Sequence, residues 1–256
     1  MLDNGTIALV SGANRGLGKC FVESLLGAGA QKVYACARTP AELPFNDVRV
    51  VPLQLDVTQS ADIIAATKLA PDVTLLINNA GINHLSRALS PQDADAARAE
   101  MEVNYFGTLA MCRAFAPILT NNATTHPCAI VNVLSILARV ALPAMGSLCA
   151  SKAAALRMTE AIRAELAAHS VRVIGILPGA IDTDMSRDFP PPKLAVSEVV
   201  EATFAALRTA GVGVAGVAGP ATSGSDEIYI GAMAQGVAAA LAQDRAAVQS
   251  QFAQYL

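Results

Sequence analysis

Ile7-Ala8-Leu9-Val10-Ser11-Gly12-Ala13-Asn14-Arg15-Gly16-Leu17-Gly18 joins an apolar run to a glycine turn, and Leu17, Phe21 and Leu25 then repeat at i, i+4 and i+8. The pattern predicts strand, turn and helix, with one apolar helix face and a stop at Gly27 and Gly29. A glycine turn that opens a helix presents unpaired backbone N–H groups and the positive end of the helix dipole, which suits a phosphate or pyrophosphate. Gly12, Gly16 and Gly18 allow a ligand to approach the backbone closely. Glycines at this spacing also occur in plain turns, but here the flanking strand and helix that dinucleotide binding requires are both present.

Outward from this stretch, the 256 residues are 53% hydrophobic and 15% charged, with a net charge of −3. That composition suits one large, well-buried domain over 1–256. With no run of Lys or Arg, nothing draws a nucleic-acid backbone, and no nucleic-acid partner is expected. No apolar stretch reaches the roughly eighteen residues of a membrane span, nor does the N-terminus resemble a secretory leader, so the expectation is no membrane and a cytoplasmic protein. The five cysteines, Cys20, Cys36, Cys112, Cys128 and Cys149, lack C-x-x-C spacing and read as reduced core residues. His84, His126 and His169 are too scattered to support a metal site, and none is expected.

Further strands are expected at 32–37, 48–55, 73–77, 129–133, 171–177 and 227–230, and helices at 60–70, 96–119, 147–169 and 197–209. This alternation argues for an α/β fold with a doubly wound parallel sheet of about seven strands, helices on both faces, and ligands at the carboxyl ends of the strands. Arg38 follows the second strand where the adenosine ribose lies in a dinucleotide fold. With Arg15 in the turn and no carboxylate at 37 or 38, a 2′-phosphate and hence NADP(H) is favoured, the alternative being two solvated arginines. Asp56 ends the third strand and could accept a hydrogen bond from an adenine amino group. Asn104 lies mid-helix, where asparagine often marks a bend or special site. The Pro-rich, charged stretch 183–195 suits a flap over a pocket, or an ordinary surface loop, and 210–256 forms a C-terminal extension.

Gly12/Gly16/Gly18, Asn78-Asn79-Ala80-Gly81, Asn104, and Ser135 followed by Ser151-Lys152 occur together in the order and spacing of one family. From about Thr6 to Met185 the chain resembles a short-chain dehydrogenase/reductase. The resemblance implies a Rossmann-type fold, a nicotinamide cofactor, hydride transfer at a carbonyl carbon to or from a small-molecule substrate, and a homodimer or homotetramer. It implies that Gly12, Asn14, Arg15, Gly16, Leu17, Gly18, Arg38, Asp56, Asn79, Ala80, Gly81, Lys152, Pro178, Gly179 and Thr183 contact the cofactor. Ser135 would bind the substrate oxygen, Lys152 the nicotinamide ribose, and Asn104 a water in a proton relay.

The family places a tyrosine four residues before the lysine, where one helix face lets the lysine lower its pKa. Here that position, thirteen after Ser135, is Leu148, which can transfer no proton. General acids contribute typically ~10²–10⁴-fold, so something must replace this one in a carbonyl reductase. Water held by Ser135, Lys152 and Asn104, a side chain such as Tyr105, or one from the flap would keep a reductase. A C=N substrate that arrives protonated would need no strong acid, which makes imine reduction compatible with Leu148. A cofactor-binding protein without catalysis is the third reading. A nucleophilic Cys149 beside Lys152 lacks a histidine, and no G-x-S-x-G elbow exists.

Overall fold

The computed structural model describes residues 2–89, 94–209 and 226–254. Seven strands, β1 Ile7–Ser11, β2 Lys32–Ala37, β3 Val50–Gln54, β4 Leu75–Asn78, β5 Cys128–Val133, β6 Val171–Pro178 and β7 Glu227–Ile230, form one sheet in the order β3-β2-β1-β4-β5-β6-β7. Every pairing is parallel. The order reverses direction between β1 and β4, and the crevice beyond their carboxyl ends is the place where such sheets bind ligands.

Side-chain alternation divides each central strand between two cores. Leu9, Leu76 and Ile130 face Met111, Phe115 and Leu156, which belong to α4 Thr108–Asn122 and α5 Gly146–Leu166. Ala8, Val10, Leu75 and Ile77 face Phe21, Leu25 and Phe204, from α1 Gly16–Gly27 and α6 Val196–Thr209. Burial on both faces is why these strands read as continuous apolar runs. Pro52 is tolerated in β3 because that strand is an edge of the sheet.

The remaining helices are α2 Ser60–Leu69, α3 Ala94–Met101, α7 Ala232–Gln243 and α8 Arg245–Phe252. The single helix expected over 96–119 is in fact interrupted: between α3 and α4, Glu102–Gly107 forms a π-turn that carries Asn104. The asparagine side chain is drawn out to pair with another segment, and the widened turn accommodates it. The helix expected over 147–169 ends at Leu166 and closes with one 3₁₀ turn, because Ser170 takes a left-handed conformation (φ 55°). Residues 210–225 of the expected C-terminal extension lie outside the described residues.

Candidate active site

The turn after β1 depends on its glycines. Gly12 and Gly16 have φ of +65° and +53°, and a β-carbon on Gly18 would lie 2.1 Å from the carbonyl oxygen of Gly12. The turn is stitched to the end of β4: Ser11 Oγ accepts the N–H groups of Asn79 and Ala80, both at 3.0 Å. Asn79 Nδ2 in turn donates to the carbonyls of Ser11 (2.9 Å) and Gly12 (3.1 Å). No side chain caps α1 at Arg15, so the N–H groups of its first turn remain available to an anion.

The other expected cofactor contacts surround this turn. A β-carbon on Gly16 would touch Thr183 Cγ2 at 3.4 Å, which places Thr183 over the helix start. Arg15 donates to Asp184 Oδ2 at 3.1 Å, and Arg187 holds the other oxygen of the same carboxylate. These arginines keep Asp184 below the usual carboxylate range. Arg38 stands exposed after β2. Asp56 uses Oδ1 to accept the Thr58 amide and hydroxyl. Pro178 ends β6, and a β-carbon on the following Gly179 would lie 2.9 Å from Met233 Cε. The base of 183–195 is clasped by a bridge between Ile181 and Leu194.

At the reaction end, Lys152 Nζ donates to the carbonyl of Val133, 2.9 Å away at the tip of β5. Burial pushes its ammonium down to about 8, and the charge of Glu100 acts in the opposite direction. Gly81 approaches so closely that a β-carbon there would lie 3.1 Å from Asn104 Oδ1 and 3.6 Å from Lys152 Nζ. Three hydrogen bonds hold the Asn104 side chain: Oδ1 accepts the Ile82 amide, while Nδ2 donates to the Ile82 carbonyl and to Ser151 Oγ, all at 3.0 Å. The Asn104 main-chain carbonyl accepts Thr108 Oγ1 at 3.0 Å.

Ser135 Oγ caps a short 3₁₀ turn by accepting Leu137 N–H at 3.2 Å, which leaves its hydroxyl proton available to donate. Leu148 sits one helical turn before Lys152 and is 7% exposed. Burial raises the Cys149 thiol pKa, which disfavours the reactive thiolate.

Three residues that hold the site together were missed in the sequence. Ser11 and Ser151 act through hydrogen bonds to distant segments, roles that the opening stretch and the Ser151-Lys152 pair do not signal. Glu100 is fully buried, and nothing in the helical pattern expected over 96–119 singles it out.

A family model for short chain dehydrogenase matches residues 6–194. The chain belongs to the short-chain dehydrogenase family. An oxidoreductase of Staphylococcus saprophyticus is 30% identical over 79% of this chain and 91% of its own. A short chain dehydrogenase from Burkholderia cenocepacia, crystallised in complex with NADP, is 54% identical, with a TM-score of 0.89 and 98% of each chain covered. A 3-ketoacyl-(acyl-carrier-protein) reductase from Brucella melitensis complexed with NADH is 26% identical, with a TM-score of 0.71 over 80% of this chain and 90% of that one. This short-chain dehydrogenase is thus an oxidoreductase by family.

Proposed function

We propose that this short-chain dehydrogenase is an NADP(H)-dependent reductase in which the Lys152 ammonium, rather than a tyrosine hydroxyl, is the proton source. The observation that carries the reading is the placement of Lys152: partly buried, tied to Val133 O, with its ammonium depressed to about 8. An acid in that range is matched to neutral pH.

The residues present fit the cofactor. The open first turn of α1 and the Gly12/Gly16/Gly18 bend suit a pyrophosphate, and Arg38 with Arg15 suits a 2′-phosphate. Asp56 keeps Oδ2 for the adenine side. Asn79, Ala80, Gly81, Pro178, Gly179 and Thr183 close around the remainder, and the Burkholderia relative holding NADP supports the choice. When bound, the nicotinamide supplies hydride to the substrate carbon. Ser135 orients the substrate oxygen by donating its hydroxyl proton, Lys152 gives up one proton as that oxygen gains charge, and Leu148 keeps the wall beside them apolar.

A second reading, reduction of an already protonated C=N bond, is favoured by the apolar Leu148, but the positive charge of Lys152 opposes a cationic substrate. A cofactor-binding protein without catalysis is the third. Following NADPH oxidation with a cyclic imine and its matched ketone separates them. Turnover of the ketone supports the Lys152 reading, turnover of the imine alone the second, and turnover of neither the third. The partly exposed apolar residues of α4, including Phe106 just before it, Leu109 and Ala110, support a homodimer or homotetramer, which size-exclusion chromatography tests.

A further inference from the structure

Glu100, near the end of α3, is the only charged side chain fully removed from solvent among the described residues. Its Oε1 accepts the His84 amide at 2.6 Å, while its Oε2 has no hydrogen-bond partner. A carboxylate in that position carries a desolvation cost that an apolar or amide side chain of similar size would avoid, so packing alone does not account for it. The helix α3 packs against α5. There Lys152 feels Glu100 as a stabilising neighbour, and the Cys149 thiol feels it as well.

Among the described residues, the other elements packed around Glu100 present no competing ion. The 82–86 segment contributes the His84 backbone, with its imidazole exposed, and the π-turn's Glu102 points to solvent. On α3 itself Asp95 and Arg98 are exposed. The same segment is bound to the start of α5 through Asn83 Nδ2 on Met145 Sδ (3.3 Å) and the Ser147 amide on the Ser86 carbonyl (3.4 Å). Glu100 therefore joins the loop to the charge of Lys152.

We propose that Glu100 is a positioning residue acting through Lys152: its unpaired buried oxygen keeps the lysine ammonium charged at neutral pH, while its paired oxygen fixes the 82–86 segment against α5. The proposal rests on the reading of Lys152 as proton source, and its test distinguishes the two. In Glu100→Gln the amide oxygen still accepts the His84 N–H and only the charge is lost.

The experiment labels the chain with lysine enriched in ¹³C at Cε and follows Lys152 by NMR titration without cofactor, the resonance being assigned by its loss in Lys152→Met. Glu100→Gln should lower the pH at which Lys152 titrates by about one unit, and the alkaline limb of kcat/KM with NADPH should move with it, a loss of about tenfold above that limb. Glu100→Asp should fall between. An unmoved Lys152 resonance overturns the proposal whatever the rates do. A resonance that moves while the pH–rate profile stays put upholds the link from Glu100 to Lys152 and overturns the lysine as acid. If Glu100→Gln fails to fold, Glu100→Asp decides: the Lys152 resonance must titrate at a lower pH than in the unaltered chain, and an unmoved resonance overturns the proposal.

Discussion

A β-carbon on Gly18 would stand 2.1 Å from the carbonyl oxygen of Gly12, so the strand-to-helix turn closes only while residue 18 has no side chain. Gly18→Ala must push the turn open, with overpacking that costs about 1–3 kcal/mol of stability. Because Asn79 Nδ2 holds the Gly12 carbonyl, the distortion spreads to β4. The expected result is a lower Tm together with loss of measurable NADPH binding in a fluorescence titration.

Arg38 is exposed beyond β2, free to meet a 2′-phosphate, whereas Arg15 is already paired to Asp184. Arg38→Asp should therefore weaken NADPH about 10-fold to 100-fold, the worth of one or two charged hydrogen bonds, and favour NADH. Comparing kcat/KM for the two cofactors checks it; an unchanged ratio would place the phosphate elsewhere.

The Lys152 ammonium, depressed to about 8, gives a pH dependence of definite sign. Its proton is present below that pH and lost above it, so kcat/KM for reduction should fall as pH rises through about 8, while oxidation, which needs the free amine, should rise. Stability carries the same signature. The unfolded lysine binds its proton up to the ordinary 10.5, so the charge burdens the folded state at pH 7, and the burden fades as pH climbs from about 8 to 10.5. Lys152→Met should accordingly raise Tm at pH 7 by about 2–8 °C, the range for a 1–2 kcal/mol change in a chain of this size, with activity lost. Scanning calorimetry at pH 7 and pH 10 should show the gain shrink.

Leu148→Tyr would place a hydroxyl one helical turn from Lys152. Ketone reduction should then increase about 10²–10⁴-fold, the usual contribution of a general acid, measured as kcat with NADPH at pH 7. An unchanged rate would mean that residue 148 lies outside the reaction centre.

Much of the fold was legible because burial on both faces writes long apolar runs into the strands: β7 was expected over 227–230 and occupies Glu227–Ile230. The π-turn was not, since Met101 to Thr108 keeps apolar spacing compatible with an ordinary helix, and the departure arises only when Asn104 finds Ile82, twenty-two positions away. Asp56 was legible from its place at the end of the third strand, whereas Thr183 was placed through resemblance to a family rather than by local pattern. Ser11 went unread for the reason that its work is done on Asn79 and Ala80, beyond any local window.

By itself the order of residues determined the parallel α/β sheet, the glycine turn and the absence of a hydroxyl at position 148, since these depend on periodicity, on conformations open only to glycine, and on side-chain identity. Tertiary structure alone decided that burial would bring the Lys152 ammonium down to about 8 and that Glu100 would be buried with its Oε2 unpartnered. Protonation depends on the dielectric and the charges gathered around a group, and those neighbours come from α3, β5 and α5, which meet only when the chain is folded.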